Sequence, residues 1–213
     1  MNSELLTITN LIIAVTCLVS YQLMEDRNGK SQLIFHPVTI KEHNQWYRFL
    51  TSGFIHADWW HLGINMFVLW SFGNVIEGFF YPNYLGEFST IKYMILYFGG
   101  IVVSSIPTYL QYQNAPHYAA LGASGGVSAV VFAVIFFEPW ENLYLYGIIA
   151  IPQILAGVAY LAYSWYMDKR GTDNIGHMAH FTGAVWGLFF TGFMKIELFQ
   201  RFIEKTLQGP TWL

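Results

Sequence analysis

The stretch Gly122-Ala123-Ser124-Gly125-Gly126 begins an apolar segment that continues to residue 137, with a serine hydroxyl near its start. Two other apolar segments also carry polar side chains. One contains His180, and the other contains His61 and Asn65, four residues apart. Polar groups are costly to keep inside a bilayer, and where they occur they mark functional sites. A serine, a histidine and two hydrogen-bonding side chains are what a serine nucleophile, its base and an oxyanion hole require.

The composition favours a membrane protein. The chain has 213 residues, of which 54% are hydrophobic and only 11% are charged, whereas a soluble domain carries roughly 25% charged residues. The net charge of −3 indicates no nucleic-acid partner. Cys17 is the only cysteine in the sequence, which excludes an internal disulfide and a thiolate metal cluster. We therefore expect membrane lipids to surround the protein, and we expect no cofactor or metal.

Hydropathy predicts six membrane-spanning helices, because each crossing needs about 20 largely apolar residues. Glu4 precedes the first helix and no small-residue cleavage site follows it, so we interpret it as a retained anchor rather than a signal peptide. No repeat or linker indicates a second domain, and a single integral-membrane domain over 1–213 is predicted. A polar and aromatic loop covers about 25–58, and the tail 195–213 is predicted to be amphipathic or frayed. The predicted spans are residues 5–24, 60–80, 92–111, 122–137, 143–165 and 175–194.

Helix geometry places the polar side chains of the second and sixth spans at similar depths. If the second span starts near Asp58, a candidate N-cap, His61 lies about 5 Å and Asn65 about 10 Å along it. If the sixth span starts near Asn174, His180 lies about 9 Å along it. The second, fourth and sixth spans all enter the membrane from the same face, so these groups are expected at one level on one side.

The fourth span is too short to cross the bilayer. From Ser124 to residue 137 it covers about 20 Å, against a hydrocarbon core of about 30 Å. Its start is therefore expected inside the membrane, with Ser124 about 10 Å deep by the same geometry. A helix that begins there leaves its first N–H groups unpaired, which is tolerated only in a protein-lined or wet cavity. Those N–H groups and the helix dipole favour an oxyanion.

Each motif also has a purely structural explanation. Glycine and serine pack membrane helices closely, and Gly183 and Gly187 would let the sixth span touch the fourth backbone to backbone. Histidine and asparagine can hydrogen-bond between helices without catalysing anything. Glu77, near the far end of the second span, is interpreted as a structural hydrogen-bonding group.

Two other chemistries fit parts of the pattern. The sequence lacks the H-E-x-x-H motif of a zinc protease. A haem held by two histidines stays possible but leaves Ser124 and Asn65 unexplained. A transporter also holds polar groups at depth, but the sequence shows no inverted repeat, and the polar groups cluster on one side rather than at the midplane. The candidate ligands for a metal or haem are His56, His61, His177 and His180.

Five motifs occur in order along the chain. They are Trp46-Tyr47-Arg48, Phe54-Ile55-His56, His61-x-x-x-Asn65 with Gly73 and Glu77, Gly122-Ala123-Ser124-Gly125, and Ala179-His180-x-x-Gly183-x-x-x-Gly187. Together, on six predicted spans, they resemble the rhomboid family of intramembrane serine proteases over most of the chain. The resemblance implies an all-α membrane protein, a six-transmembrane-helix rhomboid bundle with a short fourth helix that starts inside the bilayer.

The resemblance also implies a mechanism. Ser124 would be the nucleophile and His180 the general base, without an aspartate, while His61, Asn65 and the Ser124 amide would hold the oxyanion. The substrates would be single-pass transmembrane proteins, cut near the membrane surface. Loop 166–174 would cap the site, and the fifth span, with Pro152 and Gly157, would be a gate for substrate.

The orientation of the chain is also taken from the resemblance. It implies an integral, multi-pass protein of the cell or inner membrane, with cytoplasmic termini and an active site that opens to the non-cytoplasmic side. The positive-inside rule, applied to the few basic residues here, points weakly the other way.

One position departs from the family pattern. Many members carry an aromatic residue four positions after the serine, stacked on the catalytic histidine, and here that position is Ser128. We therefore expect His180 to lack this support. An inactive rhomboid-like membrane chaperone or adaptor is the alternative function. Such relatives usually lack the serine or the histidine, and this chain has both.

Overall fold

The computed structural model describes residues 7–145, 148–170 and 176–210, most of which are helical. A π-helical turn, Ile76–Phe80, joins the helices Trp59–Val75 and Tyr81–Leu85, so that one continuous helix runs over Trp59–Leu85. Two short strands, β1 (Asn142–Leu145) and β2 (Ile149–Pro152), pair antiparallel, with Asn142 opposite Pro152. The helices are α1 (Ile8–Leu23), α2 (Arg27–Leu33), α3 (Pro37–His43), α4 (Arg48–Thr51), α5 (Trp59–Val75), α6 (Tyr81–Leu85), α7 (Ser89–Tyr112), α8 (Ser124–Phe137), α9 (Gln153–Arg170), α10 (His177–Phe193) and α11 (Ile196–Gln208).

Helices occur at all six predicted positions. Among the described residues, two helices, Trp59–Leu85 and Ser89–Tyr112, are long and apolar enough to cross a membrane, while α1 and α8 are apolar but shorter. The side chain of Asp58 caps α5 by accepting from the His61 N–H at 2.8 Å, as predicted. The ends of the first and sixth predicted spans at residues 5, 6 and 175 lie outside the described residues, as does Asn174.

The prediction for the fifth span is wrong at its start. Residues 143–145 belong to β1 and residues 149–152 to β2, and α9 begins only after Pro152. Hydropathy does not distinguish a short apolar strand from a helix. Aromatic and β-branched residues favour the strand, and proline lacks the N–H that a helix interior needs. The described part of the chain is therefore mainly helical with one hairpin, rather than all-α.

The predicted loop 25–58 is folded into short helices around one buried cation. The Arg48 side chain is only 6% exposed. It donates to the carbonyl oxygens of Ser31 and Ile34, each at 2.8 Å, and to Oε1 of Gln45 at 2.7 Å. These bonds satisfy a charge that would be costly to bury alone. They hold the segment from α2 to α4 together beside the bundle.

Helix α8 lies at the centre of the structure, and nearly all its side chains are buried. On one side it contacts α7, where Cβ atoms added at Gly126 and Gly100 would each overlap the other helix. On the other side Gly183 and Gly187 of α10 lie directly against the α8 backbone. The prediction that these glycines allow backbone-to-backbone contact is confirmed.

Polar contacts tie α1 and α11, the first and last helices described, to this core. The Glu77 carboxylate accepts from the N–H groups of Ile8 and Thr9, at 2.6 and 2.8 Å, so it caps the start of α1. This confirms its structural role. At the other end, Lys205 of the amphipathic helix α11 donates to the Phe137 carbonyl oxygen at 2.9 Å and to Glu138 at 2.6 Å. It thereby supplies a cation at the C-terminus of α8, where the helix dipole favours one.

Candidate active site

Ser124 is the first residue of α8 and is partly buried. The chain reaches it through Gly122, whose φ of +119° is a conformation that side chains rarely adopt. The Gly122 N–H donates to the Ser52 carbonyl oxygen at 2.9 Å, which fixes this turn against the short helical segment that follows α4. The first N–H groups of a helix have no acceptor within it. The backbone at Ser124 therefore offers donors beside the hydroxyl.

His180 lies in the first turn of α10, and glycine contacts bring that turn to the start of α8. Gly183, one turn after His180, touches Gly125, the residue after Ser124. A Cβ atom added at Gly183 would lie 2.9 Å from the Gly125 carbonyl carbon. The two helix ends that carry the serine and the histidine therefore meet with no side chain between their backbones.

An aromatic ring from α9 lies against His180. Tyr160 of α9 stacks on the imidazole, with ring centroids 6.1 Å apart and planes 17° from parallel. The Tyr160 hydroxyl lies 2.9 Å from Oγ of Ser128, within hydrogen-bond distance. The expectation that the Ser128 position leaves His180 without aromatic support is therefore wrong. The ring comes from α9, and the serine holds its hydroxyl.

The two polar side chains of α5 lie beside the same turn. A Cβ atom on Gly122 would lie 2.7 Å from Cε1 and 2.9 Å from Nε2 of His61, so this ring covers the turn before Ser124. Asn65, one helical turn later, is only 6% exposed and donates from Nδ2 to the His61 carbonyl oxygen at 2.8 Å. An amide nitrogen has two protons, so this bond leaves a second donor on Asn65.

His56 holds the backbone next to Ser124 through hydrogen bonds, a role that the sequence did not reveal. It is 1% exposed, and its Nε2 accepts from the Ala123 N–H at 3.4 Å. Its Nδ1 lies 3.0 Å from Oγ of Ser20 in α1 and, as the remaining ring donor, donates to it. The Ser20 hydroxyl in turn donates to the Phe54 carbonyl oxygen at 2.9 Å. The FxH spacing in the sequence singles out His56, but nothing in the sequence singles out Ser20 in α1.

Burial keeps His56 uncharged. Burial, and after it the neighbouring His61, whose ring centroid is 4.9 Å away, together lower the pKa of His56 to about 3. A neutral imidazole can accept from Ala123 and donate to Ser20 at the same time. The bonds to His56 therefore persist at any pH at which a histidine base operates.

The four candidate metal-binding histidines form two pairs. His56 contacts His61, while His177 contacts His180 with ring centroids 6.0 Å apart. Within the described residues, no group of three or more His, Cys, Asp or Glu side chains is placed to hold a metal ion. Both ring nitrogens of His56 are occupied by protein groups, so His56 is not available as a haem ligand. Of the predicted capping loop 166–174, residues 166–170 form the end of α9 and the rest lies outside the described residues.

Comparison with known proteins points to one family. A family model described as the Rhomboid domain matches residues 43–196. RHOMBOID-like protein 12, mitochondrial, of Arabidopsis thaliana is 30% identical over 142 residues, which cover 63% of this chain and 42% of that protein. Rhomboid-like protein 11, chloroplastic, of the same plant is 27% identical over 172 residues, 76% of this chain and 55% of that protein.

A human protein is similar to the same extent. Presenilin-associated rhomboid-like protein, mitochondrial, of Homo sapiens is 32% identical over 148 residues, 66% of this chain and 36% of that protein. The match thus spans between 36% and 55% of the length of these three curated relatives. The range matched by the family model, residues 43–196, contains all four candidate site residues, Ser124, His180, His61 and Asn65.

Proposed function

This chain belongs to the rhomboid family, and from that premise we propose that it is an intramembrane serine endopeptidase that cleaves transmembrane proteins. The family consists of membrane proteins. The proposal includes one integral-membrane domain over residues 1–213 that crosses the bilayer six times. The crossings are α1, the continuous helix α5 to α6, and α7, α8, α9 and α10.

The observation that carries this function is the contact between α8 and α10. Because Gly183 lies directly on Gly125, the helix ends that bear His180 and Ser124 approach more closely than larger residues would allow. In the proposed reaction the His180 imidazole takes the proton from the Ser124 hydroxyl as its oxygen attacks the scissile carbonyl carbon. The same imidazole then donates that proton to the leaving amine. A water molecule, activated by His180, hydrolyses the acyl-enzyme.

The oxyanion would form beside the turn at Gly122. The Ser124 N–H, the His61 ring and the second Nδ2 proton of Asn65 are the proposed donors. Donors fixed in advance around a developing charge stabilise the transition state without reorganising during the reaction. The hydrogen bond from the Ala123 N–H to His56 supports this, because it holds the backbone just before Ser124 in place.

The proposed depth of Ser124 in the membrane follows from the length of α8. The 14 residues of α8 span about 20 Å, short of the hydrocarbon thickness of about 30 Å. Ser124 would therefore lie below the membrane surface, and the proposed substrates are single-pass transmembrane proteins that reach it from the lipid. We propose that the termini are cytoplasmic and that the site opens to the non-cytoplasmic side of a cell or inner membrane.

Labelling with an activity probe tests the function. Purified protein in detergent is incubated with a fluorescent fluorophosphonate and, separately, with a transmembrane reporter. Ser124→Ala and His180→Ala should abolish labelling and cleavage while the melting temperature stays close to that of the wild type. Reporter cleavage by Ser124→Ala would refute the serine mechanism. A folded wild-type protein that is neither labelled nor active would support an inactive rhomboid-like chaperone or adaptor instead.

A further inference from the structure

Helix α9 touches the candidate site through a small set of contacts. Much of its surface is exposed, including Leu155, Val158 and Tyr163, which are 53–61% exposed. Tyr160 is different, because it is partly buried between α8 and α10 and contacts groups on both. It is therefore placed to link the helix that carries the serine to the helix that carries the histidine.

Two contacts hold the Tyr160 side chain in place, and close packing one turn earlier holds the helix that carries it. Its hydroxyl is 2.9 Å from Oγ of Ser128, and its ring packs at 6.1 Å from the ring of Phe132, both on α8. One turn earlier, Gly157 brings the α9 backbone close to α8, since a Cβ there would lie 2.9 Å from Cδ1 of Ile135. A ring fixed at its hydroxyl and on its flank is a rigid surface for whatever stacks on its face.

The group that stacks on its face is the His180 imidazole, at an angle of 17°. A histidine that must accept a proton from one oxygen and pass it to a leaving group needs one ring orientation, and small misplacements reduce turnover strongly. A stacked aromatic surface opposes rotation of the imidazole about its Cβ–Cγ bond, because that rotation would turn the two rings out of their parallel arrangement.

We propose that Tyr160 is the positioning residue of His180, and that Ser128 acts through Tyr160 by holding its hydroxyl. This inference rests on the proposed function. It assigns to Ser128 and Tyr160 one shared task, so a loss at either position acts through the same ring. It also ties the orientation of the base to the position of α9, because the ring moves with that helix.

Steady-state cleavage of the transmembrane reporter by purified full-length variants tests the proposal. Tyr160→Leu removes the ring and should lower kcat by about two- to tenfold, the factor that a stacked ring pair represents. KM should stay unchanged, because the ring orients the base and does not bind substrate. Tyr84→Leu is the matched control. It removes a tyrosine that is also partly buried and that stacks on Phe137, at the opposite end of α8 from Ser124, and it should leave kcat at the wild-type value.

A double-mutant cycle separates the shared task from general destabilisation. Ser128→Ala and Tyr160→Phe each remove the same hydrogen bond and keep the rest of the ring, so each should lower kcat by less than Tyr160→Leu does. The double variant should be no worse than either single one, because the bond can be lost only once. Additive losses would overturn the role given to Ser128. These two conservative variants also keep the test valid if Tyr160→Leu fails to fold.

Exchange of the ring between helices provides the rescue. In Ser128→Phe combined with Tyr160→Leu, an aromatic ring enters the same space from α8, and kcat should rise above that of Tyr160→Leu. If Tyr160→Leu is folded and its kcat equals that of Tyr84→Leu, the inference is wrong while the proposed function stands. If the wild-type protein is neither labelled by the fluorophosphonate nor active, the proposed function fails, and the inference fails with it.

Discussion

Gly183→Ala tests the contact that brings together α8 and α10, the helices that carry the proposed nucleophile and base. The change adds one methyl group to α10 where it meets α8. That methyl carbon would lie 2.9 Å from the Gly125 carbonyl carbon and 3.0 Å from its Cα, and closer still to the carbonyl oxygen. All three atoms belong to the α8 backbone, which cannot rotate aside as a flexible side chain can.

The size of the effect follows from these distances. Carbon atoms in contact prefer about 3.5–4.0 Å, so the helices must separate by at least about half an ångström at this point. Ser124 and His180 lie within one turn of the contact and move apart with it. A misplacement of about 1 Å can reduce turnover about 10²-fold, so we expect a loss of about 10- to 100-fold. The added volume should also destabilise the fold by about 1–3 kcal/mol.

The assay measures kcat on the transmembrane reporter together with the melting temperature of each variant. Gly63→Ala is the matched control, because it also replaces a helical glycine near the site, and a Cβ there meets nothing within 4 Å. It should keep wild-type turnover. If Gly183→Ala cleaves the reporter at the wild-type rate while remaining folded, the close helix contact does not set the dyad geometry, and the argument from packing is wrong.

Three further predictions concern the oxyanion donors, His56 and the substrate. Asn65→Ala should lower turnover by less than the roughly 10²–10³-fold seen when a protease loses one oxyanion donor, because three donors share the task. His61→Ala should lower turnover more than Asn65→Ala does. Unchanged kcat in both variants would show that these residues are structural. Because the pKa of His56 is lowered from 6.5 to about 3, the unfolded chain binds a proton below about pH 6.5 that the folded protein does not. The wild type should therefore lose stability as the pH falls from about 6.5 towards 3, and melting curves of His56→Asn should lack that part of the loss; an identical acid dependence in both proteins would contradict it. Reporters with glycine or proline near the membrane surface should be cleaved faster than versions with leucine there, because helix breakers free the scissile carbonyl from its helical hydrogen bond; equal rates would argue against local unwinding.

The chemical groups of the site are local features of the sequence. A serine between glycines at the start of an apolar segment, and polar side chains early in two others, stand out because such groups are rare in apolar surroundings. Helix geometry alone then predicted the short α8, the Asp58 cap of α5 and the glycine contact between α8 and α10, all of which the structure contains. These features depend on spacing within one segment, which the sequence states directly.

Contacts between distant segments that no sequence motif marks were not predictable. The hairpin at Asn142–Leu145 and Ile149–Pro152 replaced the predicted start of a helix, because apolar runs of this length suit either structure and strand pairing decides between them. The bond between His56 and Ser20 joins residues 36 positions apart, and the contact of Tyr160 with Ser128 joins residues 32 apart.

The amino-acid sequence by itself determined which residues are proposed to carry the chemistry and which segments are apolar, because residue type and periodicity are properties of each segment alone. Only the tertiary structure decided what holds those residues in place. The ring that stacks on His180 comes from Tyr160 of α9 rather than from position 128 of α8. Either helix could supply such a ring, and the choice depends on how α9 packs against α8 and α10. That packing is set by the shapes of whole helix faces rather than by any single motif.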